Sequence, residues 1–476
     1  MPEGLPESIS DIKIKGANFE KINNYQLLLS NISARQYIEL TYNVKQKNLG
    51  MPSKIEDIYF PILQEKYFKF IGLPIFIYPE TIKKKNPHNL INFYFKWNLP
   101  DNWGFANSFG KQVYSQKVLS TLEEIQKSIF IGGSEYRFYE IKQNSHGKVI
   151  TAIQGKWQFT DEYFTNSVID IINFQRKYMK QTQKEPYYLV ELGLIQPKEV
   201  DLCKGYGGLN LTNAFSFFLE GNSCLLDEYS LRTLIHEYFH KWIPGKTFKT
   251  SEVKINNFNF IYSPFNWFRE GFTNFFTSHI AFKMQYNKQP LEEKESIKKY
   301  LENFNRVIKS YYTSPYICYS QQQIKDEFWS NSSVQDLPYI QGELIAANWN
   351  AKIKKNTLNK NSLYDYIQSM ISSKNTYTEL NVINLAKNYP FHIDSVEEDI
   401  QKIHNGCEQP PIDEMSSPIQ IAPDVLGPCF EKKYKKYNIL DKNRKQTQKE
   451  ILVPEFQMIS DWDNQRTTCL NWLNLT

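Results

Sequence analysis

The segment LIHEYFHKW, at 234–242, constrains the structure of this chain more than any other. The apolar residues in and just before it recur at helical spacing: Leu231, Leu234, Ile235, Tyr238, Phe239 and Trp242. This spacing predicts an amphipathic helix with one buried face, and Pro244-Gly245 predicts its end. His236 and His240 are four positions apart, so one helical turn brings their side chains to the same face.

Two imidazoles at this spacing can bind one tetrahedral zinc ion, which makes His236 and His240 candidate metal ligands. Glu237 stands beside the first histidine and can take a proton from water without binding the metal itself. The same five-residue pattern also occurs in core helices that merely carry histidines. A third ligand is therefore needed to distinguish a zinc site from a core helix.

The third candidate ligand is Glu270, the only carboxylate in the segment SPFNWFREGFTNFF at 263–276. Ser263 and Pro264 predict the start of a helix, with serine as its cap and proline in its first turn. Three polar residues share the side of Glu270 on this helix: Thr273, Asn274 and Thr277. Gly271 would let the helix approach the histidine helix closely. The segment predicts a His₂Glu site with an open fourth position, and the alternative is that Glu270 is a solvated surface charge.

The remaining patterns change from strand-like to helical along the chain, whose 476 residues are too many for one hydrophobic core. The clearest segments are strands at 37–45, 91–99, 186–195 and 209–219 and a helix at 161–180. Helical patterns then dominate to about residue 405, and proline is frequent after it. A hydrophobic fraction of 41% and an aromatic fraction of 15% are typical of folded proteins with large cores.

The charge pattern argues against a nucleic-acid partner. The net charge of +5 comes from 56 basic and 51 acidic residues, and the lysine runs at 83–85 and 432–436 are short enough to be solvated surface. No apolar stretch is long enough to predict a membrane span. The start, MPEGLPESIS, lacks a signal-peptide pattern, so we expect a cytoplasmic protein if the chain is complete, and a periplasmic or secreted one if a signal peptide was removed.

The six cysteines form no C-x-x-C pair, which argues against a structural zinc knuckle. Three of them, Cys407, Cys429 and Cys469, lie in the Pro-rich tail. A disulfide there would indicate an oxidising compartment. We expect free thiols instead.

The two motifs together resemble the glycyl aminopeptidase family of gluzincin metallopeptidases: H-E-Y-F-H-x-W at 236–242 and W-F-x-E-G-F-T at 267–273. FYFKWNLPDNW at 93–103 is similar to that family's N-terminal β domain. YGGLN at 206–210 is similar to its Gly-Gly-Leu-Glu strand. PYIQGELIAA at 338–347 resembles its Tyr-x-x-Gly helix start. The resemblance covers about residues 35–405.

The resemblance implies a role for each matching residue. His236, His240 and Glu270 would bind one zinc ion, and Glu237 would be the general base. Tyr339 would stabilise the oxyanion, although the sequence alone makes it a packing residue at the start of an amphipathic helix. The residues that would bind the substrate are Gly207, Gly208, Leu209 and Asn210.

Two features depart from the family pattern. Position 210 is asparagine where the family has an acid that holds the substrate's free α-ammonium group, and an amide supplies no charge. Glu220, ten residues on, could replace the acid only if the loop folds back. The segment after Gly406 is too short and too poor in strand patterns for the PDZ domain that family members often carry.

The patterns and the resemblance predict an α+β multidomain protein. An N-terminal β-sheet domain occupies 1–155, a thermolysin-like catalytic domain with a mixed sheet and mostly helices occupies 156–405, and a Pro-rich tail or small subdomain occupies 406–476. We predict a zinc-dependent metallopeptidase, aminopeptidase-like with altered N-terminal anchoring, that acts on peptides or proteins. The alternatives are a catalytically silent peptide-binding protein on the same fold and a zinc hydrolase of a non-peptide substrate.

Overall fold

A computed structural model describes most of the chain. It covers residues 8–47, 50–53, 55–85, 89–143, 147–182, 184–196, 203, 205–243, 251–255, 258–288, 293–372, 378–388, 390–408, 411, 413–443 and 445–474. The chain divides into two compact units, Met1–Tyr238 with Lys254–Ile261 and Phe239–Val253 with Tyr262–Thr476. The domain boundaries predicted after residues 155 and 405 stay predictions. Within the described residues, no helix combines the length and apolar character that crossing a bilayer requires.

The first part of the first unit is built from short strands. They are β1 (Ile9–Lys15), β2 (Asn18–Asn23), β3 (Gln26–Ser30), β4 (Glu39–Val44), β5 (Ile62–Leu63), β6 (Tyr67–Ile71), helix α1 (Glu80–Lys85), β7 (Ile91–Lys96), β8 (Gly104–Asn107), β9 (Gly110–Lys111), β10 (Ser115–Ser120), helix α2 (Leu122–Gln126) and β11 (Ile129–Gly133). Five of these strands form one antiparallel sheet in the order β5-β6-β11-β8-β9. The strands predicted at 37–45 and 91–99 are confirmed as β4 and β7.

A second five-stranded sheet completes the first unit. Its elements are β12 (Arg137–Gln143), β13 (Gly147–Ile153), α3 (Asp161–Tyr178), β14 (Tyr187–Ile195), β15 (Gly205–Leu211), β16 (Ala214–Glu220) and α4 (Glu228–Phe239). The strand order is β12-β13-β14-β16-β15, with β13, β14 and β16 parallel and β15 antiparallel at one edge. This is a mixed sheet, as predicted, and β15 is its last strand among the described residues.

Two predictions for this sheet are confirmed and one is corrected. The helix at 161–180 is α3 and the strand at 186–195 is β14. The single strand predicted over 209–219 is wrong, because the chain reverses direction between β15 and β16. Asn213 adopts a positive φ of 47° in that reversal, a conformation that asparagine tolerates better than most residues.

A buried ion pair joins the two sheets of the first unit. The Lys69 ammonium on β6 donates to Glu191 on β14 at 2.9 Å and to the hydroxyl of Ser216 on β16 at 2.7 Å. Tyr136 donates to the other Glu191 oxygen at 3.1 Å. Because a buried charge is costly unless it is paired and fully hydrogen-bonded, this network holds the two sheets in one relative position.

The second unit is mostly helical. Two short strands, β17 (Ser251–Ile255) and β18 (Phe258–Tyr262), pair with each other, and their residues are divided between the two units. A π-helical turn (Trp267–Gly271) then leads into α5 (Phe272–Lys288), α6 (Glu293–Tyr312), α7 (Gln321–Glu327), α8 (Ser332–Asn356), α9 (Leu363–Ser372), α10 (Glu379–Lys387), α11 (Val396–Asn405), β19 (Phe430–Leu440), β20 (Gln446–Met458) and α12 (Trp462–Trp472). The predicted dominance of helices up to about residue 405 is confirmed.

The tail predicted as irregular and without clear strands is only partly so. Residues 430–458 form the long antiparallel hairpin β19–β20, and α12 follows it. The prediction failed because the strand residues are mostly lysines and other polar residues that stay partly exposed, so the alternation of a half-buried strand is weak.

The expectation of free thiols is wrong. The structure pairs all six cysteines, as Cys203–Cys224, Cys318–Cys407 and Cys429–Cys469. Separations of 21, 89 and 40 residues along the chain explain why the pairing could not be inferred from local spacing. The last pair ties the start of β19 to α12.

Candidate metal centre

The histidine helix forms where the sequence predicts it, as α4. Asp227 caps its start, because its carboxylate accepts from the backbone N–H of Ser230 at 2.8 Å. The buried stripe is the predicted one, with Leu234, Ile235, Tyr238 and Phe239 all inaccessible or nearly so. The last α-helical residue is Phe239, and His240 is in the turn that follows. The predicted terminator, Pro244-Gly245, lies outside the described residues.

Helix α3 holds the histidine helix in place by buried polar contacts. The side-chain amide of Gln175 donates to the backbone carbonyl of Ile235 at 2.9 Å. Arg176 donates through Nε to the Tyr238 hydroxyl at 2.9 Å and through its terminal nitrogen to Glu185 at 2.5 Å. Burial raises the pKa of Tyr238 well above its ordinary value, so this hydroxyl stays protonated. These bonds flank Glu237 and restrict the rotation of α4 about its axis.

The edge strand β15 lies against Glu237, the predicted general base. A Cβ atom added to Gly208 would be 2.2 Å from Cγ, 2.4 Å from Cδ and 2.5 Å from Oε1 of Glu237. Two residues along and on the same face, Asn210 donates from its side-chain amide to the backbone carbonyl of Glu237 at 3.2 Å. Gly208 therefore makes room for the carboxylate, and Asn210 fixes the backbone that carries it.

The third ligand, Glu270, lies on the π-helical turn rather than within an α-helix. π-Helical turns are rare in proteins, and those that occur often lie at functional sites. The predicted helix start at Ser263 and Pro264 is wrong, because Asn266 occupies the N-cap, and the Ser263 hydroxyl accepts from the nearby Phe265 N–H at 3.2 Å. The buried aromatic residues of the turn pack against other side chains of the second unit, and this packing overrides the local capping signal.

The role predicted for Gly271 also needs correction. A Cβ atom on Gly271 would be 2.2 Å from the Cα of Gly342, and one on Gly342 would be 1.7 Å from the carbonyl oxygen of Trp267. The close approach therefore joins the π-helical turn to α8, and not to the histidine helix. Both glycines lie in sequence segments that carry the family resemblance. Nothing in the sequence indicates that Gly271 and Gly342 contact each other.

Tyr339 lies one turn before Gly342 on α8 and is half-buried. The prediction that Tyr339 starts a helix is wrong, because α8 begins at Ser332 and includes Pro338. The helix is also not amphipathic, since buried residues surround it on most sides. The glycine contact brings the helix that carries Tyr339 against the turn that carries Glu270.

The three predicted metal ligands meet in one place. One ligand atom from each of His236, His240 and Glu270 lies within 4.8 Å of the others, and all three side chains are buried. The Nε2 atom of His240 is 3.0 Å from Oε2 of Glu270, and two ligands at about 2.0–2.1 Å from one tetrahedral zinc ion stand roughly 3.3 Å apart. Two imidazoles and a carboxylate are also a donor set that suits zinc. The residues therefore form a possible site for a metal ion.

Two neighbours of this cluster were not assigned a role from the sequence. The Nε atom of Arg269 is 3.5 Å from Oε1 of Glu270. The hydroxyl of Thr273 is 3.4 Å from Nδ1 of His240. Thr273 was recognised as sharing the side of Glu270, but its contact with a histidine from a distant segment has no sequence signal.

The sequence motifs that carry the candidate ligands lie in a part of the chain that also matches a known protein family. Residues 229–368 match the sequence model of the M61 glycyl aminopeptidase family. This match agrees with the family resemblance that the motifs carry. No curated protein sequence matches the chain.

The chain is similar to several solved structures, of which one supports the fold. An aminopeptidase N family protein from Idiomarina loihiensis aligns with a TM-score of 0.65 at 14% identity, over 94% of this chain and 76% of that chain. The M1 zinc metallopeptidase from Deinococcus radiodurans aligns with a TM-score of 0.46 at 11% identity, over 87% of this chain and 86% of that chain. The first alignment agrees with the predicted fold, a β-sheet domain followed by a mixed and largely helical part.

Proposed function

We propose that the protein is a zinc-dependent peptidase in which His236, His240 and Glu270 bind one zinc ion and Glu237 is the general base. The observation that carries this proposal is the convergence of the three candidate ligand side chains. Glu237 follows the first of them directly, and its carboxylate lies against Gly208 of β15. A bound zinc ion would supply Lewis acidity and lower the pKa of water at the site.

The side chains of this site divide the remaining chemistry. Glu237 takes the proton of the attacking water and delivers it to the leaving amine, for which its carboxylate must stay close to the scissile bond. Tyr339 donates a hydrogen bond to the oxyanion that develops on the carbonyl. The Gly271–Gly342 contact supports this role, because it holds the Tyr339 helix against the turn that carries Glu270.

The substrate would extend along β15. This strand is at the edge of the second sheet in the described part of the chain, where an extended peptide can add to it by main-chain hydrogen bonds. The proposed contacts come from Gly207, Gly208, Leu209 and Asn210. Gly208 and Asn210 share the face of the strand that looks toward Glu237.

The N-terminal anchoring of the substrate is proposed to differ from that of an aminopeptidase with an acid at position 210. Asn210 uses its amide N–H on the Glu237 carbonyl, so it offers the substrate a neutral acceptor at most. Glu220 cannot replace the acid, because it pairs with Gly205 at the other end of the hairpin, and five strand residues span roughly 17 Å. We therefore propose cleavage of peptides with blocked or extended N-termini as well as free ones.

The test combines zinc content with cleavage of matched free and N-acetylated peptide libraries. Glu237→Gln should keep zinc and lose turnover, because the amide cannot accept the proton. Cleavage of both libraries supports the altered anchoring, and cleavage of free peptides alone contradicts it. Zinc binding without cleavage would favour a silent binding protein or a non-peptide hydrolase, and full activity of Glu237→Gln would remove the mechanism.

We also propose that the protein works in an oxidising compartment, periplasmic or extracellular. The support is the pairing of all six cysteines, since disulfides persist mainly outside the reducing cytosol. Detection of free thiols in the natively isolated protein would contradict this location.

A further inference from the structure

The hydroxyl of Thr273 links the π-helical turn to a metal ligand. It donates to the backbone carbonyl of Arg269 at 2.6 Å, and it lies 3.4 Å from Nδ1 of His240. A threonine hydroxyl has one hydrogen to donate. Because the carbonyl takes that hydrogen, the hydroxyl can only accept from the imidazole, so Nδ1 of His240 carries the ring hydrogen.

With the ring hydrogen on Nδ1, the other ring nitrogen of His240, Nε2, carries no hydrogen, so its lone pair can bind a metal ion. Nε2 faces Oε2 of Glu270 at 3.0 Å, on the side where the three ligand atoms converge. Thr273 is fully buried, so water does not compete for its hydroxyl. The second hydrogen bond of that hydroxyl, to Arg269, fixes its lone pairs toward the ring.

We infer that Thr273 is a positioning residue, which fixes the tautomer and the ring orientation of His240 so that Nε2 points at the metal position. The inference rests on the proposed zinc site. Partners that orient a metal-binding histidine in this way are worth about 10–100-fold in metal affinity. Thr273 itself binds neither metal nor substrate.

The test measures zinc affinity by competition with a chromophoric chelator, and so does not depend on peptide cleavage. Thr273→Val removes the hydroxyl at nearly constant volume and should weaken zinc binding about 10–100-fold. Thr273→Ser keeps the hydroxyl and should restore nearly wild-type affinity. Rescue by serine would not be expected if the residue served packing alone, because serine lacks the methyl group.

Thr277 supplies the matched control. It lies one turn further along α5 and is equally buried, and its hydroxyl makes no hydrogen bond within the described part of the chain. Thr277→Val should leave zinc affinity unchanged, with circular dichroism confirming that every variant is folded. If Thr273→Val fails to fold, Thr273→Ala against Thr277→Ala makes the same comparison.

The outcomes separate this inference from the proposed function. Wild-type affinity in Thr273→Val, or an equal loss in Thr277→Val, overturns the inference and leaves the zinc peptidase standing. A wild-type protein that binds no zinc overturns the proposed function first. A protein that binds zinc with the expected ranking of variants but cleaves no peptide supports the role of Thr273 and refutes the peptidase.

Discussion

Replacing Gly208 with alanine should displace Glu237, the proposed general base, without disturbing the proposed zinc site. The added Cβ would be 2.4 Å from Cδ of Glu237, whereas non-bonded carbon atoms rest at about 3.5 Å. The carboxyl carbon must therefore retreat by roughly 1 Å. The three atoms nearest to the new methyl group all belong to Glu237, and none belongs to a proposed zinc ligand.

The expected effect follows from that displacement. A misplacement of about 1 Å in a catalytic group can cost about 100-fold in rate, which corresponds to about 2.7 kcal/mol in activation free energy. The obstructing group is a side chain that can rotate, so the fold should survive. We therefore expect kcat of Gly208→Ala to fall about 100-fold, with zinc content unchanged.

Gly207→Ala is the matched control, because successive strand residues point to opposite faces. A Cβ on Gly207 would be 2.4 Å from the ring of Phe218 on the core side of the sheet, so this variant should lower the melting temperature. Because Gly207 is also a proposed substrate contact, any effect on catalysis should appear in KM and not in kcat. The assay is steady-state kinetics with thermal unfolding and metal analysis of both variants. Wild-type kcat in Gly208→Ala, or an equal fall in kcat in Gly207→Ala, would refute the placement of Glu237 against this strand.

Two further predictions concern stability and the covalent frame of the site. Burial lowers the pKa of Lys354 to about 7, so from about pH 7 upward the unfolded chain binds more protons than the folded one, and stability should rise with pH. Lys354→Met should flatten the rise in melting temperature between pH 7 and 9, whereas Lys355→Met, at an exposed position, should not. A wild-type melting temperature that does not rise over this range would contradict the lowered pKa. The disulfide Cys203–Cys224 closes the open end of the β15–β16 hairpin, so replacing both cysteines with serine should raise KM more than it lowers kcat. Unchanged kinetics would show that the position of β15 does not depend on this disulfide.

The three residues of the possible metal site, His236, His240 and Glu270, could be selected from the sequence because each stands out in its own short segment. His236 and His240 need only one helical turn to share a face, and Glu270 stands alone as the carboxylate of an aromatic segment. Long-range partners carry no such signal. Nothing near Cys318 or Gly271 in the chain indicates Cys407 or Gly342, since only the packed fold brings these residues together.

Element boundaries failed for a related reason. Ser263 and Pro264 carry a sound local signal for a helix start, and Tyr339 is followed by a helical pattern, yet both helices begin elsewhere. The glycine contact between the π-helical turn and α8 decides where each helix packs. The local helix propensity contributes less free energy than burial of the aromatic residues beside that contact, so tertiary packing determines the helix boundary.

Position 210 shows how the structure changes the meaning of a sequence difference. Compared with the family pattern, Asn210 is a lost acid and nothing more. In the structure it is a donor to the backbone of Glu237, and a carboxylate at that place would oppose the same carbonyl with a second acceptor. Asn210 therefore helps to position Glu237, the proposed base. Losing the charged anchor and holding Glu237 through its backbone are two consequences of the same residue.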